Sequence, residues 1–233
     1  MGRTINIITM GCSKNLVDSE HLAARCAAAG WRIVFDSNDA DAEVAVVNTC
    51  GFIGDAKEES IEMILGLAAA RQRGEIERLY VIGCLSERYA DELRAEIPEV
   101  DAFFGARGLE EIIQELEAGT PAADGATRSD APLRVISTPG HYAYLKISEG
   151  CDRGCGFCAI PLIRGPHASV PMEELVAEAE ELARDGVREL IVIAQDTTYY
   201  GLDLYGERRL AELLRRLARV SGIEWVRLHY AYP

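Results

Sequence analysis

The chain has 233 residues, 48% of them hydrophobic, which is enough for one large domain or two smaller ones with buried cores. The formal net charge of −14 weighs against a nucleic-acid substrate and favours a basic protein partner, the alternative being an acidic surface that only maintains solubility. Because the sequence shows no signal peptide and no apolar run long enough to span a bilayer, we expect a soluble cytoplasmic protein.

The first part of the chain alternates strand and helix patterns. Short apolar runs predict strands at residues 5–10, 31–35, 44–47, 79–82 and 102–104. Amphipathic patterns predict helices at residues 18–29, 56–70, 87–97 and 109–117. This alternation is typical of an α/β fold, here an open parallel sheet with helices on both faces, of the Rossmann or flavodoxin type.

The next segment, residues 119–139, is small, polar and rich in Gly and Pro, which predicts a linker with a short strand near residues 133–136. Alternation then resumes. Strands are predicted at residues 142–147, 189–194 and 225–230, and helices at 172–184 and 210–218. This pattern is typical of the first part of a parallel (β/α) barrel, and a half-built barrel leaves an unpaired strand edge. We therefore predict domains at residues 1–118 and 140–233, in a chain that is a fragment or needs a partner.

Three cysteines, Cys151, Cys155 and Cys158, form a C-x3-C-x2-C pattern in the segment KISEGCDRGCGFCAIPLIRG. We call them the second cysteine group. Three thiolates on a short loop can hold three irons of a 4Fe–4S cluster, which leaves the fourth iron open to the amino and carboxylate groups of S-adenosylmethionine. The alternative is a zinc knuckle, but zinc usually takes four ligands, and only His167 lies near in sequence. The odd total of seven cysteines argues against a disulfide framework.

Three nearby residues are candidates for contact with S-adenosylmethionine. Phe157 stands beside the last cysteine, where its ring can pack against the adenine. Gln195 and Asp196 end the next predicted strand and face the expected site, the alternative being a helix-capping or turn role. Arg164 is a weaker candidate for the cofactor carboxylate, with an ordinary surface position as its alternative.

Three other cysteines, Cys12, Cys50 and Cys84, each follow an apolar strand pattern: INIITMGC, EVAVVNTC and YVIGC. We call them the first cysteine group. In a parallel sheet the carboxyl ends of the strands share one edge, where α/β sheets bind ligands, and the following helices favour negative charge there. We therefore predict a second 4Fe–4S cluster, the alternative being three ordinary buried cysteines. Cys26 is expected in the core of a helix face.

These motifs resemble those of the radical SAM methylthiotransferases over essentially the whole chain. The N-terminal domain of that family is matched by GCSKNLVDSE, NTCGFI and GCL. The start of its radical SAM barrel is matched by YAYLKISEGC, CGFCAIPLIRG, AQDTTYYGLDLYG and RLHYAYP. Members that act on transfer RNA typically carry Gln-Met-Asn after the first cysteine. This chain has Ser13-Lys14-Asn15 there, which favours the branch that modifies a ribosomal protein.

The resemblance implies an enzyme that adds a methylthio group to the β-carbon of an aspartate in small-subunit ribosomal protein twelve. It also implies two 4Fe–4S clusters, S-adenosylmethionine as both methyl donor and radical source, and a reducing partner such as flavodoxin or ferredoxin. It makes residues 1–118 the methylthiotransferase N-terminal domain and residues 140–233 the first part of a radical SAM domain. Two alternatives stay open: a transfer-RNA adenosine methylthiotransferase, and a non-catalytic iron–sulfur protein that transfers electrons or carries clusters.

Overall fold

The computed structural model describes residues 3–37, 42–118 and 133–232. The chain folds as two compact units, Met1–Val135 (the N-terminal unit) and Ile136–Pro233 (the C-terminal unit). Most of the predicted linker therefore lies outside the described residues. The strand predicted at residues 133–136 is wrong, because this segment is bound to helix residue Glu20 and not to a strand: the Arg134 side chain pairs with the Glu20 carboxylate, and the Val135 backbone N–H donates to the Glu20 backbone oxygen at 3.2 Å.

The N-terminal unit is built on five short parallel strands. They are β1 Thr4–Thr9, β2 Arg32–Phe35, β3 Val44–Thr49, β4 Arg78–Gly83 and β5 Ala102–Phe103. Their spatial order is β2-β1-β3-β4-β5, with every neighbouring pair parallel. This is the strand order of flavodoxin-like folds, so the predicted open parallel sheet is confirmed.

Helices cover both faces of this sheet, as predicted. They are α1 Ser13–Ala28, α2 Gly54–Gln72, α3 Cys84–Glu96 and α4 Leu109–Ala118. Helices α1 and α4 pack on one face and α2 and α3 on the other, because alternate strand residues point to opposite faces. Cys26 of α1 is buried in the first of these cores, and burial raises the pKa of its thiol to about 12. The core position predicted for Cys26 is confirmed.

The C-terminal unit contains a three-stranded parallel sheet and a small antiparallel pair. The sheet consists of β6 Tyr142–Lys146, β9 Glu189–Ile193 and β10 Trp225–Leu228 in the order β10-β9-β6. The pair joins β7 Ser148–Glu149 to β8 Ala168–Ser169. The helices are α5 Ile160–Arg164, α6 Met172–Arg184, α7 Leu202–Tyr205 and α8 Leu210–Leu217, with a 3₁₀ turn at Thr197–Tyr199.

The core of the C-terminal unit lies on the helix side of its sheet. Side chains such as Leu145, Val192, Leu175 and Leu213 bring β6, β9, α6 and α8 together. The parallel strands with their returning helices confirm the predicted α/β fold, while the short elements β7, α5, β8 and α7 were not predicted. Among the described residues, no helix combines the length and apolarity that crossing a bilayer requires.

Candidate metal centres

The first cysteine group meets at the carboxyl edge of the N-terminal sheet. Cys12 precedes α1, Cys84 is the first residue of α3, and Cys50 follows β3. The Asn15 Oδ1 atom lies 3.9 Å from the Sγ atoms of both Cys12 and Cys84. A Cβ atom on Gly11 would lie 3.1 Å from Cys50 Sγ. The parallel topology therefore brings three thiols from distant parts of the chain to one place.

Asn15 ties the loops of this group together, although it was not among the site residues predicted from the sequence. Its fully buried side-chain amide donates hydrogen bonds to the backbone oxygens of Met10, at 2.9 Å, and Thr49, at 3.0 Å. Its backbone oxygen accepts from Asn48 Nδ2 at 2.9 Å. The signal for Asn15 was present only as the third residue after Cys12 in the family motif.

Two glycines allow these loops to pack closely. Gly11 has a φ of +91°, and a Cβ there would lie 2.6 Å from Cys50 Cβ. Gly83 has a φ of +103°, and a Cβ there would lie 2.6 Å from Thr49 O. Any side chain at either position meets both backbone strain and a collision. The cysteine-bearing loops are therefore held in a fixed mutual arrangement.

The donors present fit an iron–sulfur cluster. All seven cysteines are free thiols. Within the described ranges, no three His, Cys, Asp or Glu side chains are placed to share one metal ion. In a 4Fe–4S cluster each thiolate binds a different iron, so its ligands stand further apart than those of a single ion.

The second cysteine group lines one cavity of about 250 Å³ in the C-terminal unit. Gln195 and Asp196 line the same cavity, so the structure brings these two sequence candidates to the cysteines. Phe157 is fully exposed and does not belong to that lining, so its contact with adenine stays a prediction. The other lining residues are Arg153, Ile160, Tyr230, Ala231 and Tyr232.

Asp196 is held by hydrogen bonds from its own surroundings. One carboxylate oxygen accepts from the Thr198 backbone N–H at 3.0 Å and from the Thr198 hydroxyl at 2.6 Å, which caps the 3₁₀ turn. The other accepts from Arg153 Nε. Burial opposes ionisation of Asp196, but the bonds from Thr198 and Arg153 outweigh it and hold its pKa below the usual value.

Arg164 lies in the interior, and the surface position considered for it is wrong. Its side chain is 1% exposed, and Nη1 donates to Glu149 Oε2 at 3.0 Å. Lys146 Nζ lies 2.8 Å from the same oxygen. The last residue of α5 therefore turns inward, because the Glu149 carboxylate on β7 offers a partner for its charge.

Gly150 precedes Cys151, and a substitution there tests whether close backbone packing holds the second cysteine group in place. Its φ is +69°, and a Cβ there would lie 2.0 Å from the Pro166 backbone oxygen. The substitution Gly150→Ala is therefore expected to displace the neighbouring Cys151 and to remove roughly half of the iron that the protein takes up in anaerobic reconstitution. The matched control is Gly154→Ala, where a Cβ meets nothing within 4 Å. Equal iron contents in the two variants would contradict the expectation.

Two sequence families account for most of the chain. The model of the Uncharacterized protein family UPF0004 matches residues 4–105, within the N-terminal unit. The model of the Radical SAM superfamily matches residues 145–231, within the C-terminal unit. The second match contains the second cysteine group and every residue that lines its cavity except Tyr232. A radical SAM domain implies one 4Fe–4S cluster together with S-adenosylmethionine.

Curated relatives match both units together. The ribosomal protein uS12 methylthiotransferase RimO of Phocaeicola vulgatus is 54% identical over 231 residues, which are 99% of this chain and 52% of that protein. The proteins of the same name from Bacteroides fragilis and Cytophaga hutchinsonii are 53% and 50% identical, over 99% and 98% of this chain and 52% and 51% of theirs. The chain therefore spans about half the length of the curated relatives that it matches.

Solved structures share the fold at low sequence identity. The cobalamin-dependent S-adenosylmethionine radical enzyme OxsB aligns with a TM-score of 0.63 and 11% identity over 96% of this chain and 38% of that one. The radical S-adenosylmethionine methyltransferase TsrM from Kitasatospora setae aligns with a TM-score of 0.59 and 14% identity over 93% of this chain and 51% of that one. The match to the Radical SAM superfamily model, together with this shared fold, defines a radical SAM domain in the chain. With a UPF0004 domain before its radical SAM domain, the chain belongs to the radical SAM methylthiotransferase family, alongside the RimO proteins.

Proposed function

We propose that this chain carries the two cluster sites of an enzyme that adds a methylthio group to an aspartate β-carbon of small-subunit ribosomal protein twelve. The observation that carries the proposal is that the chain contains two separate three-cysteine sites. One lies at the edge of a flavodoxin-like sheet, and the other lines a cavity in a radical SAM domain. A non-catalytic carrier or electron-transfer protein would need a full set of ligands for each cluster, whereas each site here offers three thiols.

The second cysteine group would hold the cluster that binds S-adenosylmethionine. Gln195 lies beside it, two residues after the end of β9, and its amide would orient the amino or ribose groups of the cofactor. Phe157, fully exposed beside Cys158, would pack on the adenine when the cofactor is bound. Asp196 would contribute a fixed negative charge at the same rim, because its pKa is held low.

The first cysteine group would hold the second cluster. The Asn15 amide and the close-packed loops around Gly11 and Gly83 would keep the three thiolates in place without further ligands. The N-termini of α1 and α3 begin at this site and would stabilise its negative charge. When bound, the two clusters supply reductive cleavage of S-adenosylmethionine and a site for the transferred sulfur.

The substrate assignment follows from chemistry, from charge and from the relatives. A 5′-deoxyadenosyl radical can abstract a hydrogen from the unactivated β-carbon of an aspartate, which fits a chain with a radical SAM domain. A ribosomal protein is basic, which suits a chain with a net charge of −14. The relatives are named for action on the ribosomal protein uS12. The proposal also implies a cytoplasmic location and a reducing partner such as flavodoxin or ferredoxin.

The test is a comparison of two substrates. The full-length protein, reconstituted with iron and sulfide, is incubated with S-adenosylmethionine, a reductant and either the ribosomal protein or transfer RNA. We expect a mass gain of one methylthio group in place of one hydrogen on the ribosomal protein, located by peptide sequencing at an aspartate. A gain on transfer RNA alone would establish the adenosine methylthiotransferase instead. Absence of 5′-deoxyadenosine from an iron-loaded protein would reject the radical mechanism.

A further inference from the structure

We infer that Arg153 is a positioning residue that holds the loop of the second cysteine group against the carboxyl end of β9. Arg153 lies between Cys151 and Cys155, in a stretch of loop with two nearby glycines and no regular secondary structure. The inference rests on the proposed cluster at this site. It concerns what keeps the cysteine loop in place, which the ligand set alone does not explain.

The first support is an ion pair that crosses from the loop to the end of the strand. Arg153 Nε pairs with Asp196 Oδ2, and Arg153 Nη2 donates to the Thr198 hydroxyl at 3.4 Å. The Asp196 side chain is 5% exposed and that of Arg153 is 27% exposed. A pair this shielded from water is expected to restrain the loop, because its charges are screened far less than those on an open surface.

The second support is aromatic contact with the same guanidinium. The Arg153 Cζ atom lies 3.9 Å from the ring centroid of Tyr232 and 5.2 Å from that of Tyr199. Tyr199 belongs to the 3₁₀ turn after β9, and Tyr232 follows β10. Cations within about 6 Å of an aromatic face are attracted by it, and a planar guanidinium also stacks on the ring. One side chain therefore ties the cysteine loop to the segments that follow two neighbouring strands.

These contacts give the adjacent residues Gln195 and Asp196 different roles. Both carboxylate oxygens of Asp196 are already engaged, one by Thr198 and the other by Arg153. Within the part of the chain that the structure describes, no hydrogen bond reaches the side chain of Gln195. Asp196 therefore acts as the anchor for Arg153, and Gln195, which lines the same cavity, is the residue whose amide would be available to the cofactor.

The experiment measures how firmly the site keeps its iron. The full-length protein and its Arg153→Met variant are reconstituted, and the iron–sulfur absorbance is followed after addition of an excess of an iron chelator. We expect roughly tenfold faster iron release from the second cysteine group in the variant, because its ion pair with the buried Asp196 carboxylate and its contacts with two aromatic rings are lost together. Arg208→Met is the matched control. The Arg208 guanidinium lies 5.6 Å from the same Tyr199 ring but belongs to a different segment, so its iron release is expected to match that of the wild type.

Asp196→Asn separates anchoring from direct binding of the cofactor. If Asp196 anchors Arg153, the two single variants and the double variant release iron at similar rates, because each breaks the same pair. Their affinities for S-adenosylmethionine then also fall together. If Arg153→Met keeps iron as the wild type does while Asp196→Asn loses only cofactor affinity, the inference is overturned. A wild-type protein that takes up no iron at the second cysteine group would instead reject the proposed function.

Discussion

Replacing Cys155 with alanine is expected to abolish the formation of 5′-deoxyadenosine from S-adenosylmethionine. Cys155 is the exposed member of the second cysteine group, and its thiolate would hold one of only three protein-bound irons of that cluster. Loss of one of these ligands leaves an incomplete site with no reducing group beside the cofactor. The measurement is product analysis by liquid chromatography with dithionite as reductant, together with iron content.

Replacing Cys12, Cys50 and Cys84 together is expected to have a different outcome. The protein is expected to lose roughly half its iron and all methylthio transfer, and to keep the ability to form 5′-deoxyadenosine, because the second cysteine group is intact. Cys26→Ala is the matched control in the same unit, since Cys26 is a buried core thiol. An unchanged iron content in the triple variant would rule out the second cluster.

Arg134→Met is expected to lower the free energy of unfolding of the N-terminal unit by about 3–5 kcal/mol, the range for breaking one side of a buried ion pair. The Arg134 and Glu20 side chains are 1% and 0% exposed, and Arg134 Nε and Nη2 lie 2.9 and 2.6 Å from Glu20 Oε2. The substitution leaves the Glu20 carboxylate buried without this partner. Urea unfolding is followed by Trp31 fluorescence in a Trp225→Phe background, because only Trp31 lies in this unit.

Two further variants identify the cause of that loss. Arg25→Met removes another ion pair of α1, but the Arg25 and Glu110 side chains are 42% and 66% exposed, so its effect is expected to stay within about 1 kcal/mol. The double change Arg134→Met with Glu20→Leu is expected to recover part of the stability, because neither charge of this pair is then left buried alone. Equal losses from Arg134→Met and Arg25→Met would show that burial of the pair does not matter.

The strands of the two parallel sheets were predictable because each is a short apolar run, and the structure shifts their bounds by at most two residues. The starts of two helices were not predicted correctly. α1 was predicted from residue 18 but begins at Ser13, and α3 was predicted from residue 87 but begins at Cys84. In both cases the first turn belongs to the cysteine site. The polar residues of that turn pack at the cysteine site. The turn therefore lacks the apolar periodicity by which a helix is recognised in a sequence.

The buried charges were not predictable from local patterns. From the sequence alone, Arg164 is expected at the surface, because its pairing with Glu149 exists only in the folded chain. The partners Glu20 and Arg134 are separated in sequence by most of the N-terminal unit. Burial of a charge depends on a partner that only the folded chain supplies. The two cysteine groups, by contrast, were predictable from the sequence itself. Close spacing identified one group, and a shared position after parallel strands identified the other.

The two cysteine groups differ in the stage of synthesis and folding at which their three thiols are brought together. The second occupies one short loop, so its ligands are neighbours even before the chain has folded. The first requires strands β1, β3 and β4 to be paired in register, with Asn15 joining the loops across them. A metal site that the unfolded chain lacks can be filled only as folding proceeds, and long-range parallel pairing forms slowly. Under the proposed function, iron delivery to the first cysteine group would therefore have to wait for the sheet, whereas the second group would be able to capture iron early.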